Sequence, residues 1–194
     1  MRVRDGTALA LGRDDDTGAD EAALITAARG APAAFGILHQ RYHARVYRYL
    51  RARTESPEDA ADLTQQVFLQ AFDALPRYRE RGLPFAAWLF RIARNAATDF
   101  HRRRRQTVAW DHLPEALHPA AQGPEGTVLR REALARLRDL LATLPADKRE
   151  LLALRFVAGL SQREIAAVVG KSEDAVQKGL TRLLHSLKER YDDA

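Results

Sequence analysis

The sequence predicts an all-α protein made of two small helical domains joined by a flexible linker. Apolar residues recur at intervals of three and four along most of the chain, and no alternating strand pattern persists. A segment with three prolines and two glycines, residues 106–128, interrupts that pattern. We therefore assign residues 29–105 to the first domain, 106–128 to the linker and 129–194 to the second domain, which ends in a helix-turn-helix.

The first domain is predicted to begin with a helix whose apolar face runs from Phe35 to Leu50. A second helix has a clear start, because Ser56 can cap it, Pro57 suits its first position and acidic residues follow in the first turn. This helix extends to about Leu75. Its outer face carries an acidic and amide-rich stripe: Asp59, Asp62, Gln66, Gln70 and Asp73.

A third helix is expected to begin near Pro84, with its apolar side chains inward: Phe85, Trp88, Leu89, Ile92, Ala96 and Phe100. At about 100° per residue, polar side chains project together from the opposite face. They are Arg91, Arg94, Asn95, Thr98, His101, Arg102 and Arg105. The third helix therefore presents a stripe of guanidinium groups with an amide inside it.

The second domain begins with a predicted amphipathic helix over residues 129–144, which Pro145 ends. The next helix places Leu151, Leu152, Leu154, Phe156 and Val157 in the core, and Gly159 can end it in the left-handed conformation. Ser161 and Glu164 then form a capping box, Gly170 supplies a tight turn and Ser172 starts a longer helix. A short helix, a glycine turn and a capped longer helix are typical of a helix-turn-helix.

Composition and charge narrow the classes of function. The 194 residues include no cysteine, no run approaching the roughly 18 apolar residues of a membrane span, and no apolar N-terminal signal segment. We expect a cytoplasmic protein without disulfides or membrane insertion. The net charge of +5 divides into −3 for residues 1–28, +8 for 29–105, −3 for 106–128 and +3 for 129–194. Two basic modules that face a polyanion, preceded by a mobile acidic tail over residues 1–28, fit this pattern.

The polar faces have structural as well as functional interpretations. The arginine stripe is either a solvated basic face or a groove for single-stranded nucleic acid, which needs cations and stacking surfaces. Phe85 and Trp88 lie on the core side, so Tyr78 in the preceding loop is the better stacking candidate. The acidic stripe is either solvated or a docking face for a basic protein. The last two helices either insert into a DNA major groove or merely pack.

Catalytic patterns are weak. His39 and His43 are four residues apart, but the intervening residues supply no glutamate base, and no phosphate loop or nucleophile elbow is present. We therefore expect no enzyme activity, no metal site and no cofactor.

Three segments together carry a resemblance to a known family. PEDAADLTQQVFLQAFDALPRY, PFAAWLFRIARNAATDFHRRRR and LPADKRELLALRFVAGLSQREIAAVVGKSEDAVQKGLTRLLHSLK follow one another in the order found in extracytoplasmic-function sigma factors, the minimal bacterial transcription initiation factors. The resemblance spans about 150 residues, and it implies that residues 29–105 are sigma region 2 and residues 129–194 are sigma region 4.

The resemblance implies partners and roles residue by residue. The partners are core RNA polymerase, through its β′ and β subunits, and promoter DNA; the family also allows for an anti-sigma factor. The linker resembles the segment that runs through polymerase toward the RNA exit path. The residues implied to dock on the β′ coiled coil are Asp59, Asp62, Gln65, Gln66 and Phe68. The loop from Tyr78 to Pro84 is implied to hold the melted minus-10 strand. The individual residues implied to contact that strand are Tyr78, Arg91, Arg94, Asn95, Thr98, His101, Arg102 and Arg105. The residues implied to read the minus-35 element are Arg163, Ser172, Glu173, Asp174, Gln177, Lys178 and Arg182.

Two departures from the family pattern stand out. The recognition helix reads EDAVQKGLTR where the family often has EGTVKSRLHR, so the minus-35 sequence is not predicted, and Gln66 stands where the family often has glutamate. Our hypothesis is a specificity subunit that captures promoter bases without chemistry. The alternative is an autonomous helix-turn-helix regulator that binds a palindrome as a dimer, and tight duplex binding without polymerase would distinguish it.

Overall fold

The computed structural model describes residues 15–79, 83–104, 110, 112–113 and 127–192, and every regular element within those ranges is helical. This confirms the all-α prediction. The helices are α1 (Asp15–Ala28), α2 (Pro32–Arg51), α3 (Pro57–Ala74), α4 (Phe85–Arg104), α5 (Thr127–Ala142), α6 (Ala146–Leu152), α7 (Gln162–Val169) and α8 (Glu173–Asp192). In this described part of the chain, no helix is long and apolar enough to cross a membrane.

The chain divides into two compact units, Met1–Leu38 and His39–Ala194. The first unit holds α1, which lies within the predicted mobile tail over residues 1–28. Alanine is the strongest helix former, and the second half of α1 reads ALITAA, which favours a helix at this point. Ile25 and Ala28 of α1 are buried. Residues 15–28 of the predicted tail are therefore helical.

Helix α3 begins where its sequence signals predict. The Ser56 hydroxyl accepts a hydrogen bond from the Asp59 backbone N–H at 3.0 Å, and Pro57 is the first helical residue. The inner face is buried as expected, through Ala60, Leu63, Val67 and Ala71. This face packs against α4, so the opposite face of α3 remains outside.

Helix α4 buries a wider arc than the sequence predicts. Phe85, Leu89 and Ala96 are buried as expected, but Ala87 and Phe90 on a second side are also fully buried. The reason is that α4 contacts two elements, α3 on one side and α7 from the second half of the chain on the other. Long-range packing has therefore narrowed the face of α4 that remains open.

The helix-turn-helix has the predicted local geometry. The Ser161 hydroxyl accepts from the Glu164 N–H at 3.2 Å, and the Glu164 carboxylate accepts from the Ser161 N–H at 2.7 Å. Gly170 ends α7 with φ at +71°, a conformation that suits glycine. Helix α8 then packs against α5, α6 and α7. Its opposite face is consequently left to solvent.

Phe156 is an exception to the predicted core, because 49% of it is exposed. Helix α6 continues into a π-helical turn over Ala153–Val157, closed by a hydrogen bond from the Ala158 N–H to the Ala153 carbonyl at 2.9 Å. The wider turn changes the directions in which its side chains point. Val157 stays buried while Phe156 turns outward, so the predicted burial of Phe156 is wrong.

The predicted linker is anchored at the points that the structure describes. Trp110 and Leu113 are buried, and the Trp110 ring lies 5.4 Å from the Arg53 guanidinium and 5.9 Å from that of Arg149. Cations at such distances from an indole face are attracted by its quadrupole. The three prolines that predict flexibility lie outside the described residues.

Candidate nucleic-acid and protein-binding surfaces

Helix α4 exposes a polar face that includes part of the predicted minus-10 stripe. Arg91, Asn95, Thr98 and Arg102 are all exposed. The Arg102 side chain is 78% exposed and pairs with Asp99 at 3.1 Å, an exchangeable contact that a phosphate can replace. The Thr98 hydroxyl donates to the Arg94 carbonyl at 2.8 Å. This face combines cations with an amide, as contacts to phosphates and bases require.

His101 does not belong to that face, and its burial contradicts the predicted role in binding DNA. The residue is only 4% exposed, and its Nε2 lies 2.8 Å from the Arg53 carbonyl oxygen. A carbonyl can only accept, so Nε2 carries the proton. Burial, together with the nearby charges of Arg53 and Arg104, lowers the pKa of His101 below its ordinary value. His101 therefore has a structural role in the core.

The predicted stripe has two further arginines, Arg94 and Arg105. Arg94 is half-buried, with its Nε 3.6 Å from a carboxylate oxygen of Glu150 on α6. This contact turns Arg94 toward the second half of the chain. Arg105 lies outside the described residues.

Among the aromatic residues beside α4, Phe85 is buried as predicted, whereas the exposure of Tyr78 and of Trp88 differs from the prediction. Tyr78 is only 3% exposed, and its hydroxyl donates to the Leu83 carbonyl at 2.7 Å. Its ring packs edge-on against Phe85 and 4.9 Å from the Trp88 ring. Tyr78 is therefore unavailable for stacking on a base, because both its hydroxyl and its ring are satisfied internally. Trp88 is half-buried and lies seven residues, or two helical turns, before Asn95.

The predicted docking residues on α3 separate into exposed and internal ones. Asp62 and Gln65 are exposed and Gln66 is half-buried. Asp59 instead receives two hydrogen bonds from the Arg104 guanidinium, at 2.9 and 3.0 Å. Phe68 is buried, with its ring 4.4 Å from that of His39. The docking roles expected for Asp59 and Phe68 are thus corrected, since one is engaged by α4 and the other faces the core.

Two apolar residues that sequence reasoning missed lie among the exposed docking residues. Leu69 is 60% exposed and Phe72 is 41% exposed. They follow Asp62 and Gln65 on α3 at helical spacing, so they share that surface. We call Asp62, Gln65, Gln66, Leu69 and Phe72 the docking patch. The available signal was that neither apolar residue fits the inner-face pattern of α3.

The minus-35 candidates are accessible on the second helix of the helix-turn-helix. Glu173, Asp174, Gln177, Lys178 and Arg182 are all exposed on α8. Lys178 pairs with Asp174 at 2.8 Å, and the Arg182 Nε donates to the Lys178 carbonyl at 3.3 Å. Pairing reduces the repulsion that Asp174 would exert on a phosphate backbone.

Two further candidates in this motif differ in their surroundings. The Ser172 hydroxyl accepts from the Ala175 N–H at 3.2 Å, so it caps the helix. Arg163, on α7, is exposed. Capping gives Ser172 a structural role in positioning the first turn of α8.

Two family models match separate parts of the chain. Sigma-70 region 2 matches residues 38–107, which include α3 and α4, and Sigma-70 region 4 matches residues 134–191, which include α6, α7 and all but the last residue of α8. Both halves therefore match sigma factors, and the comparisons give no support to an autonomous regulator.

Similar proteins lead to the same conclusion. The chain is 42% identical over 150 residues to the ECF RNA polymerase sigma factor SigD of Mycobacterium tuberculosis strain H37Rv, covering 74% of this chain and 70% of SigD. It is 35% identical over 186 residues to the ECF RNA polymerase sigma factor ShbA of Streptomyces griseus subsp. griseus, covering 91% of this chain and 97% of ShbA. The solved structure of CnrH in complex with the cytosolic domain of CnrY aligns with a TM-score of 0.63 at 30% identity, covering 90% of this chain and 98% of that one. The chain belongs to the extracytoplasmic-function sigma factors, the subunits that bind core RNA polymerase and promoter DNA to begin transcription.

Proposed function

We propose that this sigma factor holds the melted minus-10 strand along the exposed face of α4. The observation that carries the proposal is the combination of Arg91, Asn95 and Arg102 on one exposed face with the half-buried Trp88 beside it. Guanidinium groups neutralise phosphates, an amide can bond to base edges, and an indole offers a surface for stacking. Strand capture on this face uses binding alone, and no catalytic chemistry is required of the chain.

The docking patch supplies the contact to core polymerase in this proposal. Asp62 contributes a negative charge for a basic partner, and the exposed parts of Leu69 and Phe72 contribute apolar surface. Apolar anchors with a polar surround are typical of protein interfaces. The partner surface is the β′ coiled coil, by the resemblance of the DLTQQVF segment.

Helix α8 reads the minus-35 element through Gln177, Lys178 and Arg182. These exposed side chains lie in the first half of the second helix of a helix-turn-helix, the part that enters the major groove. Gln177 can contact a base edge, while the two cations reach phosphates. Because each DNA-binding part is small, polymerase is expected to supply affinity by holding both at promoter spacing.

Reconstitution tests the proposal. Purified chain is added to core polymerase, and initiation is measured on genomic promoter fragments. We expect initiation to depend on the chain and Asp62→Arg to weaken polymerase capture, because it reverses a charge in the docking patch. Asp139→Arg, a matched change of an exposed acid on α5, should leave capture unaltered. Equal capture by the wild type and the Asp62→Arg variant would remove α3 from the docking model.

The protein is proposed to work in the cytoplasm, where polymerase and chromosome meet. An anti-sigma partner is a further part of the proposal, since the similar protein CnrH was solved together with the cytosolic domain of CnrY. Affinity purification of the tagged chain from its own cells, followed by mass spectrometry, tests for one. Recovery of polymerase subunits alone would count against such a partner.

A further inference from the structure

The described residues line a cavity of about 260 Å³ within the unit His39–Ala194. Its wall comes from the segment just after α2, from α4, from α6, from the end of α7 and from the turn that follows it. The wall residues with polar side-chain atoms are Arg53, Arg94, Trp110, Asp147, Glu150 and Lys171. The cavity is separate from the docking patch and from the polar face of α8, and it shares only Arg94 with the predicted minus-10 stripe.

Two N–H donors of the wall residues are buried and have no acceptor among the described residues. They are the Nε of Arg53 and the Nε1 of Trp110, and the two residues are only 3% and 6% exposed. A buried donor without an acceptor costs the free energy of its lost hydration, so native proteins rarely leave one without a partner. The wall therefore offers two donors to a molecule that carries acceptor oxygens.

The Trp110 ring is already in contact with cations of the chain. The Arg53 guanidinium lies over it at 5.4 Å from the ring centre, and the Arg149 guanidinium lies over it at 5.9 Å. Cations at these distances interact with the face of an indole, which leaves its N–H edge for another partner. The Nε of Arg149 is a third buried donor without an acceptor in the described part of the chain. These surroundings favour a ligand with oxygen acceptors over one that stacks.

The buried acid of the wall, Glu150, is already satisfied by the chain. Its carboxylate accepts a hydrogen bond from the Tyr49 hydroxyl at 2.6 Å and lies 3.1 Å from the Arg53 Nη1. The Arg94 Nε lies 3.6 Å from the same carboxylate. Arg53 therefore uses Nη1 for Glu150, while its Nε is left for a different acceptor.

Charge and size narrow the class of ligand. The wall carries three cations, Arg53, Arg94 and Lys171, against the two acids Asp147 and Glu150, so its excess charge is positive and favours an anion. Guanidinium groups present N–H donors in a planar fork, which matches the oxygens of phosphate and carboxylate. The volume of about 260 Å³ lies just below the roughly 300–1,000 Å³ of pockets for drug-sized ligands. The cavity therefore suits a compact oxyanion.

We propose that this cavity is a binding site for a small phosphate, either inorganic phosphate or the phosphate group of a small metabolite. Its oxygens accept hydrogen bonds from the Arg53 Nε and the Trp110 Nε1, and Arg94 and Lys171 add positive charge. Binding is reversible, and no covalent step is involved. The site is independent of polymerase docking and of promoter recognition, so neither polymerase nor DNA is needed to test it.

Fluorescence of the purified full chain tests the site, with inorganic phosphate as the probe. The sequence has two tryptophans, Trp88 and Trp110, so Trp88→Phe leaves Trp110 as the single reporter. We expect its emission to change and to saturate at millimolar phosphate, while sodium chloride keeps the ionic strength constant. Saturation is the criterion, because phosphate also stabilises proteins through its exclusion from their surface, without occupying a site. An emission that does not respond, or that responds without saturating, would overturn the proposal.

Two variants of the wall and one control make the test specific, with calorimetric titration as the readout. Trp110→Phe keeps an aromatic ring but removes the indole donor, and Arg94→Gln removes one of the cations. Each should weaken phosphate binding by about tenfold or more, because hydrogen bonds and contacts that involve a charged partner are the strong ones. Arg91→Gln is the matched control, since Arg91 lies on the same helix and does not line the cavity. It should leave the affinity unchanged.

Circular dichroism shows which variants fold, and Arg94→Gln carries the test if Trp110→Phe does not. Wild-type affinity in the folded wall variants, or an equal loss in Arg91→Gln, would refute the site. Titration with glycerol phosphate distinguishes the two sources of the ligand: tighter binding than inorganic phosphate indicates a phosphorylated metabolite, and weaker binding indicates the free ion. Acetate, a carboxylate with one charge, should bind more weakly than either, and tighter binding of acetate would overturn the assignment to phosphate.

Discussion

The most informative single change in the docking patch is Leu69→Ser. Leu69 is 60% exposed, and burying a whole leucine side chain contributes roughly 1.5–3 kcal/mol. Covering the exposed fraction in a polymerase interface is therefore worth about 1–2 kcal/mol. The expected result is core polymerase binding weaker by about 5- to 30-fold, at 1.4 kcal/mol per factor of ten. The fold itself should change little, since surface substitutions usually alter stability by about 0.5 kcal/mol or less.

The assay is competition against labelled wild-type chain for a limited amount of core polymerase, with thermal unfolding measured in parallel. Ile37→Ser is the matched control, because Ile37 is 51% exposed on α2 and belongs to no proposed surface. Unaltered competition by Leu69→Ser would refute the apolar contribution of α3. A similar loss in both variants would indicate a general effect of surface polarity instead.

Three further predictions concern single residues. Arg102→Ala should reduce the slope of log affinity against log salt in open-complex formation by about 0.7–0.9, the share of one phosphate contact; an unchanged slope would place Arg102 away from the DNA. His101→Gln should flatten the pH dependence of stability below pH 7. The lowered pKa of His101 means that the unfolded chain takes up the proton first, so wild-type stability falls as pH drops below the ordinary value of 6.5; identical urea titrations of both proteins from pH 7 to pH 5 would contradict this. Gly179→Ala should raise the free energy of unfolding by about 1 kcal/mol, because the added methyl group meets Leu151 at an ordinary 3.8 Å and alanine favours the helix; a lower Tm would disprove it.

Local signals in the sequence predicted the features that neighbouring residues decide. Ser56 caps α3, Ser161 and Glu164 form the capping box, and Gly170 adopts positive φ, as expected. Each of these depends on contacts within about four residues, which a linear sequence displays directly. The exposed face of α8 follows from the same periodicity.

Exposure of the candidate side chains was only partly predictable. Helical periodicity places His101 at the edge of the α4 stripe. In the structure, however, its Nε2 donates to the Arg53 carbonyl and the side chain is buried in the core. Tyr78 is an aromatic residue in a loop, which suggests a base-stacking role. In the structure its hydroxyl donates to the Leu83 carbonyl and its ring packs edge-on against Phe85. Periodicity gives the direction of a side chain and leaves its neighbours undetermined.

The sequence by itself determined the helices from α2 onward, their caps and the family, because these depend on local spacing and on ordered motifs. Tertiary structure alone decided that the two halves close on each other. Glu150 is 101 residues from Tyr49 and 97 from Arg53 along the chain. No periodic pattern links such distant positions, and a buried carboxylate is tolerated only where folding brings a guanidinium to it.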